Sequence, residues 1–301
     1  MSAPAVVLPG RLSVATRVSA YVALTKPRII ELLLITTLPT MILAKGGLPD
    51  VWLMIATLLG GALAAGGANA INMYVDRDID KLMHRTARRP LVTGVIAPRN
   101  ALIFAVTLEV VAFVELWAWV NLLSAVLAVS ATLFYVFVYT LWLKRTSKQN
   151  IVIGGAAGAM PVLVGWAAVT DTLAWTPIVL FAVIFVWTPP HFWALAFKYK
   201  DDYEAAHVPM LPVVATFRRT ATEIFVYSVI MVGLTLLLAP VAHLGSFYLA
   251  SAALLGLGFV AMSVRMWMLA TPKASMQLFS YSITYLTLLF VMMAVDVFVH
   301  H

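Results

Sequence analysis

The chain has 301 residues, 62% of them hydrophobic and only 11% charged, with a formal charge of +7. A soluble domain of this length has no use for so much apolar surface, and several runs reach the roughly 20 apolar residues that span a bilayer's hydrocarbon. The absence of cysteine excludes disulfides, thiolate metal sites and thioether-attached haem. No alternating segments of about ten residues are present, which excludes a transmembrane β-barrel.

Residues 1–26 lack an apolar h-region and a cleavage site, so they are expected to be a cytoplasmic tail rather than a signal peptide. Residues 27–301 then form a single transmembrane domain. Breaks at charged or Gly/Pro-rich points predict nine helical spans, at 27–45, 51–73, 100–119, 122–142, 151–170, 176–197, 222–243, 246–269 and 278–299. Of 20 Lys and Arg, 19 lie in the tail, at the start of span 1 or at the ends of the connectors after spans 2, 4, 6 and 8, and only Lys45 lies on the other side. The positive-inside rule puts these connectors in the cytoplasm, with the N-terminus in and the C-terminus out. The net charge is thus mostly topology, and no nucleic-acid motif accompanies it.

Two cytoplasmic connectors, 74–99 and 198–219, mix acids with bases and lie four spans apart, which hints at two related halves. In the first, Asn72, Asp76 and Asp80 recur every four residues. If span 2 continues as helix, they share one face, with Asp78 pointing elsewhere. Stacked oxygen-bearing side chains suit a hard cation such as Mg²⁺, which bridges to substrate phosphates. The second connector supplies "KYKDDYE", with Lys198, Lys200, Asp201, Asp202 and Glu204. Two acidic clusters on one cavity would hold two Mg²⁺ around a diphosphate, with Arg85, Arg88, Arg89 and Lys200 neutralising the remaining oxygens. The competing reading is that acids and bases gather at helix ends because water is there. Against it stand the acids in a loop that topology requires only to be basic, and an Asn at the apolar end of the series, where polarity is costly.

Lys26 and Arg28, in "LTKPR", either anchor the interface or reach an anionic substrate. His191, in "WTPPHFWALAF", follows a Pro pair expected to kink or break span 6. An intramembrane His is a functional candidate; the alternative is a hydrogen-bonded structural role. Trp187, Phe192 and Trp193 either line a pocket for a flat or isoprenoid ligand or simply pack. The run "IGGAAGAMP", 153–161, is not a phosphate loop; its small residues let helices approach closely.

The NxxxDxxxD series after span 2 and the acidic loop after span 6 resemble the UbiA superfamily of intramembrane prenyltransferases. Met73 stands where that superfamily's usual NDxxDxxxD has its first Asp. This departure, together with "RTARRPLVTG", "YTLWLKRTSKQNIVIGGAAGAMPVLVGW", "WTPPHFWALA" and "KDDYEAAHVPMLPV", resembles the branch that farnesylates protohaem. The match runs from about Leu24 to Pro212; beyond it only hydropathy agrees.

The resemblance implies an all-α, UbiA-like fold of nine helices around a central cavity, with two cytoplasmic cap loops, in a bacterial inner membrane. It implies transfer of the farnesyl group of farnesyl diphosphate to a vinyl group of haem b, with addition of water, giving haem O and diphosphate. Mg²⁺ is the implied cofactor and haem b a substrate. Asn72, Asp76, Asp80, Asp201 and Asp202 would be the metal and catalytic set, and Lys26, Arg28, Arg85, Arg88, Arg89, Lys144, Arg145, His191 and Lys200 the substrate-binding set. Ala205 and Ala206 fall where the superfamily's second DxxxD motif would place its later acid. Haem A synthase or a terminal oxidase assembly are implied partners. The alternatives are a prenyltransferase for an aromatic or quinone precursor, or a transporter gated by the acidic loops.

Overall fold

The computed structural model describes residues 13–300, apart from the side chains at 28, 29 and 32–34. The described residues form helices and connectors and no strand. A short helix α1 (Val14–Thr25), not anticipated in the tail, begins on the Ser13 side chain, whose oxygen accepts from the Thr16 backbone N–H. It stops at Lys26, a left-handed residue with φ 52°, and Pro27 starts α2 (Pro27–Lys45) at a position that needs no N–H donor. The sharp break turns the Lys26 side chain inward, toward α3 (Val51–Val75).

α4 (Pro98–Trp119) follows. A single span, Leu122–Thr146, then combines α5 (Leu122–Leu133), a π-helical stretch (Phe134–Leu143) and a last turn, α6 (Lys144–Thr146). α7 (Asn150–Thr170) and α8 (Trp175–Ala196) come next. The second cytoplasmic connector carries α9 (Lys200–Ala205) and α10 (Leu211–Val214). α11 (Phe217–Val241), α12 (Ser246–Leu269) and α13 (Pro272–His300) complete the chain. Eight described helical spans are long and apolar enough to cross a membrane. α2 coincides with the first predicted span, so each of the nine predicted spans has its helix.

The long helices pack in a closed circuit. Each touches the next in the order α2, α3, α4, α5, α7, α8, α11, α12, α13, and α13 returns to α2. α7 also packs on α2, and α8 on α13, across the ring. α8 is the most enclosed: 67% of its apolar window is buried, against 28–44% in the other seven. Small residues permit the close approaches between helices. A Cβ on Gly155 would lie 2.9 Å from Thr188 Cβ of α8, and one on Gly165 would lie 2.9 Å from the Thr37 carbonyl of α2. The predicted role of the glycine-rich run thus holds for Gly155.

Two local expectations meet the structure. Of the kink or break expected at Pro189 and Pro190, the break does not occur, because α8 runs through them to Ala196. Nor does α3 continue as regular helix to Asp80. It ends at Val75, Asp76 caps it, and a short 3₁₀ turn covers Ile79–Lys81. The four-residue stagger nevertheless survives in the backbone. Asp76 N–H donates to the Asn72 carbonyl (2.9 Å) and Asp80 N–H to the Asp76 carbonyl (2.8 Å).

Candidate active site

Asp76 and Asp80 are fully withdrawn from solvent at the end of α3. Such burial of charge requires partners, and they come from α3 itself, from the loop that follows it and from the end of the π-helical span. Lys144, at the end of the π-helical span, donates to Asp76 Oδ2, which also accepts from Asn72 Nδ2 at 2.9 Å. Arg145 reaches to within 3.6 Å of Asp76 Oδ1 and forks both its terminal nitrogens onto Asp78, at 2.7 Å each. The fork from Arg145 pushes the Asp78 carboxyl down to about 2. Arg89 places Nη1 2.6 Å from Asp80 Oδ2.

Asn72 is committed at both ends. Its Oδ1 accepts from Lys26 Nζ (2.9 Å), and its Nδ2 also donates to Thr140 Oγ1 (3.1 Å). Desolvation, reinforced by the charges of Arg89 and Lys144, pushes the Lys26 ammonium down to about 7, with Asp76 and Asp80 opposing. One oxygen of each buried acid is left over: Asp76 Oδ1 and Asp80 Oδ1 accept no hydrogen bond. A buried acceptor without a partner is costly and calls for a ligand. Two such carboxylate oxygens among four cations fit a hard divalent cation together with a polyanion.

The second loop is used differently. Both oxygens of Asp202 are engaged by the first loop: Oδ1 accepts from the His84 backbone N–H (3.1 Å) and meets its Nδ1 (3.0 Å), while Oδ2 accepts from the Arg85 N–H (3.3 Å). Burial alone would raise the Asp202 carboxyl, but these donors hold it below its ordinary value. Arg85 adds a hydrogen bond to Tyr203 Oη (2.9 Å) and lies over the rings of Tyr203 and Tyr199. Lys200 and Asp201 are exposed, as is Arg88. Asp202 thus holds the second loop against residues 84 and 85 of the first. Among the described residues, no three acidic or histidine side chains converge in a metal-holding group. The Arg28 side chain lies outside the described residues.

His191 is buried on α8. Its ring stacks on Trp187 at 4.2 Å, packs against Phe279 at 4.7 Å, and bonds through Nδ1 to Ser282 Oγ at 2.7 Å. The bond to Ser282 is a hydrogen-bonded role of the kind set against the functional one. Met73 faces a different way, into an apolar cluster with Leu24, Ala70 and Leu91.

A family model described as the UbiA prenyltransferase family matches residues 33–292. The chain belongs to the UbiA prenyltransferase family. It is 56% identical to a protoheme IX farnesyltransferase of Parafrankia sp. (strain EAN1pec), over 97% of this chain and 95% of that one. It is 53% identical to the protein of that name from Streptomyces avermitilis, over 96% and 97%. Among solved structures, a digeranylgeranylglyceryl phosphate synthase superposes with a TM-score of 0.78 at 16% identity, covering 93% of this chain and 98% of that one. A UbiA homolog from Archaeoglobus fulgidus, bound to GPP and Mg²⁺, gives 0.63 at 18%, covering 91% and 99%. These last two likenesses show the fold, and the family together with the apolar helices makes the chain an integral membrane protein.

In this UbiA enzyme the sequence motifs located Asn72, Asp76, Asp80, Arg89, Lys144 and Arg145, and the fold brings all of them together with Lys26. The motifs missed Thr140, His84, Tyr203 and Ser282. Thr140 and Ser282 are polar residues within apolar spans, the one signal that could have raised them. His84 and Tyr203 carried no signal, because what selects them is the docking of one loop on another.

Proposed function

We propose that the enzyme transfers the farnesyl group of farnesyl diphosphate to a vinyl group of haem b, with addition of water, to give haem O and diphosphate. The observation that carries the reading is the pair of buried carboxylate oxygens on Asp76 and Asp80 that accept no hydrogen bond, set among Lys26, Arg89, Lys144 and Arg145. The names of the relatives support the farnesyl group and the protohaem acceptor.

Asp76 and Asp80 are the residues proposed to hold Mg²⁺, with Asn72 orienting Asp76. Bound there, the ion would offset negative charge developing on the leaving diphosphate. Lys144, Arg89 and Arg145 add fixed positive charge at the same place, and they need no reorganisation when the bond breaks; Lys26, held at about 7, joins them when protonated. Arg85, Arg88 and Lys200 are proposed to meet the outer diphosphate oxygens or the porphyrin's propionates. As the allylic C–O bond breaks, its electron pair leaves with diphosphate. The vinyl π electrons form the new C–C bond, and the cation left beside the porphyrin takes up water and loses a proton. The vinyl group is itself the nucleophile, so no activated Ser, Cys or Lys is required. The apolar bundle keeps stray water from the allylic cation.

His191, on the same side of the bilayer as the acidic site, is proposed to contact the haem. The charge bias of the connectors supports a cytoplasmic active site in a bacterial inner membrane, with Asp201 kept as a candidate outer ligand. The test is to incubate the purified protein with haem b, farnesyl diphosphate and Mg²⁺, and to identify the haem products by mass. A product heavier than haem b by one farnesyl group and one hydroxyl group is expected. Unchanged haem with diphosphate release on an aromatic acceptor would instead establish the quinone-precursor reading.

A further inference from the structure

Ser282 belongs to none of the motifs, yet α13 sets it directly against the α8 histidine. Its Oγ lies 2.6 Å from the Phe279 carbonyl oxygen and 2.7 Å from His191 Nδ1. Two oxygens at 2.6 Å need a proton between them, and a carbonyl has none to give. The hydroxyl hydrogen is therefore committed to Phe279, and Oγ turns a lone pair toward His191. Nδ1 must then carry the ring proton. A neutral imidazole has a single N–H, so Nε2 is left as a bare electron pair.

The surroundings hold the ring in that orientation. Trp187 covers a face of the imidazole with the planes only 20° apart, and its Nε1 donates to the Ser282 carbonyl at 3.0 Å, fastening α8 to α13 at the same level. Phe279 packs on the ring as well. Among the described residues, none makes a hydrogen bond to Nε2. Nε2 is not among the buried polar atoms that lack a partner, so it keeps some exposure while Nδ1 is bonded. One nitrogen donating to an oxygen while the other stays free is how ligating histidines are set up before a metal arrives.

We infer that Ser282 is a positioning residue that fixes His191 as the Nδ1–H tautomer and so presents Nε2 as an electron-pair donor to the iron of a metalloporphyrin substrate. This rests on the reading that the acceptor is haem b and that His191 faces it. The two stand or fall on different measurements.

Nitrogen-15 NMR of histidine-labelled protein, assigned with His191→Gln, reads the tautomer with no haem present. An Nδ1–H signal is expected in the wild type, moving toward a tautomer mixture in Ser282→Ala. An Nε2–H signal in the wild type overturns the inference. Titration with haem b supplies the second readout. His191→Gln should abolish the imidazole-ligated absorption spectrum. Ser282→Ala should weaken haem affinity about 10-fold or more, the usual effect of removing a ligand's supporting partner. Ser282→Thr, which keeps the hydroxyl, should retain the wild-type spectrum, while the isosteric Ser282→Val should behave like Ala. The Thr and Val pair carries the comparison if the Ala variant folds poorly. An altered spectrum in His191→Gln beside a wild-type spectrum and affinity in Ser282→Val overturns the role of Ser282 alone. An unaltered spectrum in His191→Gln removes the haem contact itself, and the inference with it.

Discussion

Arg89 Nη1 lies 2.6 Å from Asp80 Oδ2, while the other oxygen of the same buried carboxylate has no hydrogen-bond partner. Asp76 repeats the pattern, with Lys144 on Oδ2 and no hydrogen bond to Oδ1. Each acid is tied down through one oxygen and open at the other. That arrangement orients a carboxylate without using up its capacity to bind.

Asp76→Asn and Asp80→Asn should each lower turnover by about 10²-fold or more, the scale expected when charge stabilisation at a developing anion is lost. Both variants should still fold and insert, because an amide can keep one acceptor in place. Turnover measured across a Mg²⁺ titration, beside thermal stability, checks this. Near-normal rates in either variant would remove that residue from the metal site.

Lys144→Met should destabilise the protein by about 3–5 kcal/mol, because it strips the direct partner from a buried carboxylate. The double variant Lys144→Met/Asp76→Asn should recover much of that stability but no activity, since it removes the stranded charge along with the site. Thermal unfolding of the single and double variants decides the point. Equal instability in both would show that Lys144 contributes packing and not charge pairing.

Asp202 stitches the two cytoplasmic loops together through His84 and Arg85. Asp202→Ala should therefore speed limited proteolysis at the exposed Arg85 and Arg88 while leaving the affinity for Mg²⁺ close to wild type. The donors hold its carboxyl below the ordinary 3.8, so the folded state favours the ionised form. The clasp is then complete above pH 3.8 and is lost as pH falls through the lower folded value. Lost Mg²⁺ affinity with unchanged proteolysis would return Asp202 to the ligand set in which the acidic motif first placed it.

Orientation gives a fourth expectation. A reporter fused after His301 should be active only outside the cytoplasm, and one inserted in 198–219 only inside it. The motive is the single Lys beyond the cytoplasmic side among 20 basic residues. The opposite pattern at both sites would invert the proposed topology.

The sequence by itself determined where the helices run, because a stretch of about 20 apolar residues is committed to the membrane whatever its neighbours do. The nine predicted spans fall within a few residues of the helices for that reason, except at 217–221 and 272–277, where α11 and α13 carry one or two further turns of mixed polarity. The Asn72–Asp76–Asp80 stagger was equally legible, since four-residue spacing is a property of the local backbone. Which cation meets which acid was not legible. Lys144 and Arg145 stand 68 and 67 residues from Asp76 and Asp78, and Ser282 stands 91 from His191. Those pairings depend on how α3, α5, α8 and α13 pack around the ring. Asp202 is the sharpest case: in sequence it is half of an acidic pair suited to a metal, and in the fold its oxygens are satisfied by the backbone of another loop. Burial decides this, because a carboxylate withdrawn from water binds the donors that the tertiary structure places within its reach.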